Sequence, residues 1–143
     1  MNAAQRQVFV DTSALYATFD ADDGHHGAAT IAWEQLLNGL EQGAIAAVTH
    51  SSIIVETTAL VQRRLGMTAV RTLLDDVLPL FEVVWVDSEL HAQATTALLA
   101  ANQRQISLVD WTSFAVMRER AIDEAFAFDD DFAQRGFESF AGL

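Results

Sequence analysis

The chain reads as an α/β fold, with a mainly parallel, twisted sheet of four to five strands flanked by helices. Three observations predict this. Short apolar runs alternate with longer segments of helical period, the pattern of strands joined by crossover helices. Hydrophobic residues make up 51% of 143 residues, enough to bury a real core in one domain spanning 1–143. Two of the strand-like runs end directly on an acid, Asp11 and Asp129, and the C-terminal edge of a parallel sheet is where such folds place their chemistry.

The first strand is "QVFV" (7–10), apolar and β-branched or aromatic. Asp11 follows, a residue type suited to capping the helix that begins with Ser13, Ala14 and Leu15. A helix over 25–40 presents Ala28, Ile31, Ala32 and Leu36 on one face. "AIAAVT" (44–49) is the second strand, after the Gly43 stop. A helix from Ser51 to Leu65 ends at Gly66. Val70, Leu73, Leu74, Val77 and Leu78 then keep helical spacing up to Pro79. "FEVVWV" (81–86) is the third strand, and 87–102 a helix capped by Asp87 or Ser88. A helix over 107–121, a strand at 124–128 and a short strand at 137–140 complete the chain.

Composition removes several classes of function. There is no cysteine, so disulfides, thiolate metal sites and cysteine nucleophiles are excluded, which suits a reducing cytoplasm. All eight bases are arginine. Without lysine the chain has neither the phosphate-binding Lys of a P-loop nor a Schiff-base amine. An aspartyl-nucleophile phosphatase wants a second acid two residues beyond Asp11, where Ser13 stands, and a Lys as well. A phospho-receiver domain fails for similar reasons. The first residues carry no signal-peptide pattern. The longest apolar region, 77–86, is broken by Pro79 and Glu82, so no membrane span is expected. The net charge of −12 argues against non-specific binding of nucleic acid and favours divalent cations or a basic partner.

Four acids stand where such a fold concentrates chemistry. Asp11 ends the first strand. Glu56 has Ile53 and Leu60 at helical neighbour positions, which predicts a partly buried carboxylate, with Arg63 on the same face as a candidate ion-pair partner. Ser107-x-x-Asp110 has capping-box spacing, and its neighbours Leu108, Val109, Trp111 and Phe114 predict a buried helix start. Asp129 opens the run Asp129–Asp131 after a strand. Brought to one sheet edge, four carboxylates raise one another's pKa unless a cation compensates them. An all-oxygen ligand set without Cys selects Mg²⁺ or Mn²⁺ over zinc. The histidines compete poorly, because His25 and His26 are adjacent and His50 and His91 lack ligand spacing.

These motifs, in this order, resemble the PIN-domain ribonucleases, especially the VapC-type toxins of toxin–antitoxin pairs. The matching stretches are "VFVDTSAL", "SSIIVETTALV", "ISLVDWTSFAVM" and "AFAFDDDF". The resemblance implies an Mg²⁺- or Mn²⁺-dependent endoribonuclease, with Asp11 and Asp110 as principal ligands and Glu56 and Asp129 completing the set. It implies hydroxyls from Thr12 and Ser13 beside the site, a homodimer, and a cognate antitoxin that covers the site. The fourth motif departs from the family, with Ala127 where Thr or Ser is common, which leaves Asp131 as a substitute for Asp129.

The expected reaction is hydrolysis of an RNA phosphodiester, for which the resemblance implies 5′-phosphate and 3′-hydroxyl ends. Arg63, Arg64 and Arg104 are the candidate substrate contacts. The acidic charge predicts few phosphate contacts, a shallow salt dependence and a selected RNA structure such as a tRNA or rRNA loop. The alternative is a PIN-like module that binds a partner through a weakened or inactive site.

Overall fold

A computed structural model describes residues 5–143. Five strands form one sheet: β1 (Arg6–Val10), β2 (Ile45–His50), β3 (Glu82–Val84), β4 (Glu124–Phe126) and β5 (Glu138–Ser139). Their order is β3-β2-β1-β4-β5, and every pairing is parallel. Successive strands step outward from β1 to β3, and the chain then crosses back to place β4 on the other side of β1. The order therefore reverses at β1, and the C-terminal ends of β1 and β4 face the crevice where open α/β sheets bind ligands.

Helices α1 (Thr12–Phe19), α2 (His26–Glu41), α3 (Ser51–Leu65), α4 (Met67–Arg71), α5 (Ser88–Ala101), α6 (Leu108–Glu119) and α7 (Asp131–Gln134) connect the strands. Val8, Phe9 and Val10 are wholly buried, which explains why β1 is an unbroken apolar run rather than an alternating one. Phe114, Phe126, Phe132 and Phe140 extend the core beyond β4. On the opposite flank α2 lies so close to β2 that a Cβ at Gly39 would overlap the Ile45 side chain.

Several boundaries differ from those predicted, each for a local reason. The helix expected up to Leu78 is α4 followed by a π turn (Thr72–Val77) and a 3₁₀ turn (Leu78–Leu80). Pro79 causes this, because its ring crowds the carbonyl four residues back and it donates no hydrogen bond. β3 is shorter than 81–86, since the Val86 N–H leaves the ladder to donate to Ser51 Oγ at 2.9 Å. β4 likewise stops short of Phe128, whose N–H donates to Ser13 Oγ at 3.0 Å. Helix α7, which begins at Asp131, was not predicted. Among the described residues no helix is long and apolar enough to cross a membrane.

Candidate active site

Asp11 stands where β1 becomes α1. Its N–H donates to the Phe126 carbonyl of β4 at 3.0 Å, so the backbone holds it at the reversal point of the sheet. Its Oδ2 accepts from the Ser13 N–H at 3.1 Å and from Ser13 Oγ at 2.6 Å, which makes it the N-cap of α1. Only 5% of the residue is exposed. Burial pushes its carboxyl up to about 6, against the pull of the two Ser13 bonds, and the charges of Asp110 and Glu56 add to the rise.

Asp110 completes a reciprocal capping box at the start of α6. The Ser107 N–H donates to Asp110 Oδ2 at 3.0 Å, and the Asp110 N–H donates to Ser107 Oγ at 3.1 Å. The carboxyl is half-buried, and its pKa is raised mainly by lost solvent, then by Asp129, against the Ser107 bonds. Asp129 accepts from the Asp131 N–H at 3.0 Å. Oxygens of Asp110, Asp129 and Asp131 all lie within 4.8 Å of one another. The Asp131 carboxyl is pushed up to about 6 by lost solvent first, then by Asp129 and Asp110, with Arg135 opposing.

Asp131 thus joins Asp129 in the cluster rather than replacing it. Asp11 and Glu56 fall outside that tight trio, although the charges of Glu56 and Asp110 both act on Asp11. Glu56 is exposed and not partly buried as its neighbours suggested. Ile53 takes the core position, while Glu56 sits on the shoulder of α3 and faces solvent at the rim. No ion pair joins it to Arg63 among the described residues.

The hydroxyls of Thr12 and Ser13 are both engaged within the protein. Thr12 is buried and its Oγ1 accepts from Thr57 Oγ1 at 3.0 Å, tying α1 to the helix that carries Glu56. Ser13 holds Asp11 and the loop after β4 at once. Arg63 and Arg104 are exposed, on the last turn of α3 and in the turn before α6, and Arg64 lies over the Tyr16 ring at 5.5 Å.

Two functional features were missed. Arg135 lies four residues beyond Asp131, its guanidinium 4.5 Å from the Trp111 ring centroid, with a hydrogen bond to Gln103 at 3.0 Å. Its charge opposes the rise of the Asp131 carboxyl. Nothing in the sequence distinguishes it from the other arginines. His50, completely buried, accepts from the Ile53 N–H through Nδ1 at 3.4 Å and meets Ser113 Oγ through Nε2 at 2.9 Å. Because the Ser113 hydroxyl donates to the Val109 carbonyl, Nε2 carries the proton and His50 is neutral. Burial holds its pKa down, at about 4. The pair ties the end of β2, where His50 caps α3, to α6.

The donor set fits a hard divalent cation. It is all carboxylate oxygen, and Asp11 and Asp110 each commit one oxygen to a helix cap that fixes the direction of the other. The charge of Asp129 raises the pKa of both Asp110 and Asp131, a repulsion that a shared cation would relieve.

A family model of the PIN domain matches residues 8–138. The chain belongs to the PIN-domain family. Within it, the likeness is to the VapC-type toxins. The 23S rRNA-specific endonuclease VapC20 of Mycobacterium tuberculosis is 36% identical over 131 residues, covering 91% of this chain and 95% of that protein. The crystal structure of the same VapC20, a sarcin–ricin loop cleaving toxin, superposes with a TM-score of 0.76 at 33% identity, covering 91% and 95% of the two chains. At the level of the fold alone, FitAcB from Neisseria gonorrhoeae (TM-score 0.66, 15% identity, 94% and 97% covered) is also similar. So is the DNA-bound VapBC complex of Salmonella typhimurium (TM-score 0.65, 13% identity, 94% and 97% covered).

Proposed function

We propose that this PIN-domain protein is a divalent-metal-dependent endoribonuclease, the toxin of a VapBC-type pair, acting in the cytoplasm on an exposed loop of ribosomal RNA. The observation that carries this reading is the trio Asp110, Asp129 and Asp131 beside buried Asp11, at the reversal point of a parallel sheet. The likeness to an enzyme that cuts 23S rRNA supplies the substrate class.

Asp11, Asp110, Asp129 and Asp131 would hold Mg²⁺ or Mn²⁺, with Glu56 at the rim. A bound divalent ion supplies Lewis-acid stabilisation of phosphate charge and makes water acidic enough to act as a nucleophile near neutral pH. The protein's own residues do the positioning. Ser13 and Ser107 orient the carboxylates, and His50 with Ser113 fixes the two helices that carry Glu56 and Asp110. Arg135, anchored on Trp111, joins Arg63 and Arg104 as a candidate phosphate contact. A homodimer and a cognate antitoxin over the site belong to the same proposal.

The test pairs thermal unfolding with cleavage. With Mn²⁺ or Mg²⁺ at a hundredfold excess over Kd, a specific site stabilises the fold by roughly 2.7 kcal/mol. The wild type should show that shift and cut a hairpin RNA carrying a sarcin–ricin-type loop, leaving 5′-phosphate ends; Asp110→Asn should lose both. Equal shifts in the two proteins, with no cleavage by the wild type, would favour the partner-binding alternative.

A further inference from the structure

Trp85 is 74% exposed, although it belongs to the residue type with the largest apolar surface to bury. Its backbone is not a loose loop. It lies in a connection of three residues between β3 and α5, and both neighbours downstream are fixed. The Val86 N–H donates to Ser51 Oγ at 2.9 Å, and Asp87 Oδ1 accepts from the Leu90 N–H at 2.8 Å as the N-cap of α5. The backbone that carries the indole is therefore fixed, and the ring stands in solvent. It forms one wall of an open depression of about 510 Å³, whose floor and sides are Ser52, Val55, Val86 and Val109 with Glu56 at the edge. Val55 is itself 70% exposed. Glu56 and Val109 connect this depression to the acid site, since Val109 directly precedes Asp110 on α6.

Charge decides what such a shelf receives. The chain has eight arginines against twenty acids, and Arg6 and Arg120 are bound to Glu124 and Glu82. An RNA enzyme so short of free cations cannot draw its affinity mainly from phosphate neutralisation. Stacking of bases on aromatic faces is independent of that term. With Glu56 and Asp87 beside it, the shelf repels a phosphate and accepts a flat, uncharged ring.

We infer that Trp85, over the Val55–Val109 floor, is a stacking platform for an unpaired base of the RNA next to the bond being cut. The inference rests on the ribonuclease reading above and adds the means of substrate selection: a loop base that can be splayed out, in place of a long phosphate track. Trp85 is a specificity-determining residue and takes no part in the bond-breaking step.

The test uses the full chain and a hairpin RNA with a single-stranded purine loop, beside the same hairpin with abasic loop positions. Trp85→Ala should lower kcat/KM at least about tenfold, mainly through KM, while Trp85→Phe stays within about threefold of the wild type. The abasic hairpin should abolish the difference between the wild type and Trp85→Ala. In EDTA, where no cleavage occurs, the purine hairpin should quench the long-wavelength emission of the wild type and not that of Trp85→Ala, because Trp33 and Trp111 are more buried. Unaltered KM in Trp85→Ala, with the wild type cleaving normally, overturns the platform and leaves the ribonuclease reading intact. So does a Trp85→Ala protein whose only change is loss of self-association or of a protein partner. A wild type that cleaves no RNA defeats the reading beneath it.

Discussion

The Ser13 hydroxyl donates to Asp11 Oδ2 at 2.6 Å and, through the same oxygen, accepts the Phe128 N–H at 3.0 Å. One atom therefore sets the distance between the acid that ends β1 and the loop that carries Asp129 and Asp131. Ser13→Ala removes both bonds. It should cost about 1–3 kcal/mol in urea unfolding. It should also weaken Mn²⁺ binding by roughly 10–100-fold in titration calorimetry, as loss of a supporting hydrogen bond does at metal sites. Unchanged Mn²⁺ affinity would show that the loop finds its position without the serine.

Asp11 and His50 make opposite contributions to stability over the same pH range. The Asp11 carboxyl, raised to about 6, favours the proton in the folded state, so its stabilisation is present below about pH 4 and is lost as pH rises through 6. The His50 imidazole, lowered to about 4, disfavours the proton, so stability is present above about pH 6.5 and is lost as pH falls through 4. In EDTA the His50 slope is opposed by Asp11 and also by the raised Asp131 and Asp110, so the wild type should lose stability as pH rises from 4 to 6.5. Asp11→Asn keeps an oxygen for the cap and should flatten that loss. His50→Gln should lose stability more steeply than the wild type as pH rises. The Asp11 effect at pH 7.5 is roughly 3 kcal/mol at most, read as a gain in metal-free Asp11→Asn by urea unfolding. Parallel slopes in the two variants would contradict the assignment.

Removing either partner of the buried His50–Ser113 pair leaves a polar group unsatisfied between α3 and α6. His50→Ala adds a cavity, and the protein should lose about 3 kcal/mol or more. Ser113→Ala, which strands the Nε2 proton, should cost about 1–3 kcal/mol. Thermal melts of the two single variants and the double variant measure the coupling. Strictly additive losses would mean the contact carries no stability of its own.

Arg135 should act on substrate rather than on the fold. Arg135→Gln is expected to raise KM for RNA several-fold with little change in kcat, and to reduce the slope of log affinity against log salt by about one. A fall in melting temperature with an unchanged slope would assign Arg135 to packing on Trp111 alone.

Much of this architecture was legible in the chain because it follows from local chemistry. The apolar run 8–10, the Gly66 stop and the Ser107-x-x-Asp110 spacing each name their element, and the reciprocal capping box is present. The strand ends were overestimated at 84–86 and 126–128. There, side-chain acceptors on distant helices, Ser51 and Ser13, take the next N–H out of the ladder. Glu56 was misjudged because helical spacing gives a face but not its angle to the core. Arg135 and His50 owe their significance to Trp111 and Ser113, residues 24 and 63 positions away in the chain. Such pairings have no signature in a single sequence.

The order of strands has a consequence for the protein's birth. β4 pairs with β1, yet it is made after β2 and β3, and Ser13 waits for a partner, Phe128, that follows 115 residues later. Chains fold from the N-terminal side as they are synthesised. β1 to β3 can therefore pair while Asp129 and Asp131 are still untranslated or inside the ribosome. The trio with Asp110 closes only when β4 has emerged and docked. An acid site built in this way stays incomplete while β1, β2 and β3 are already paired.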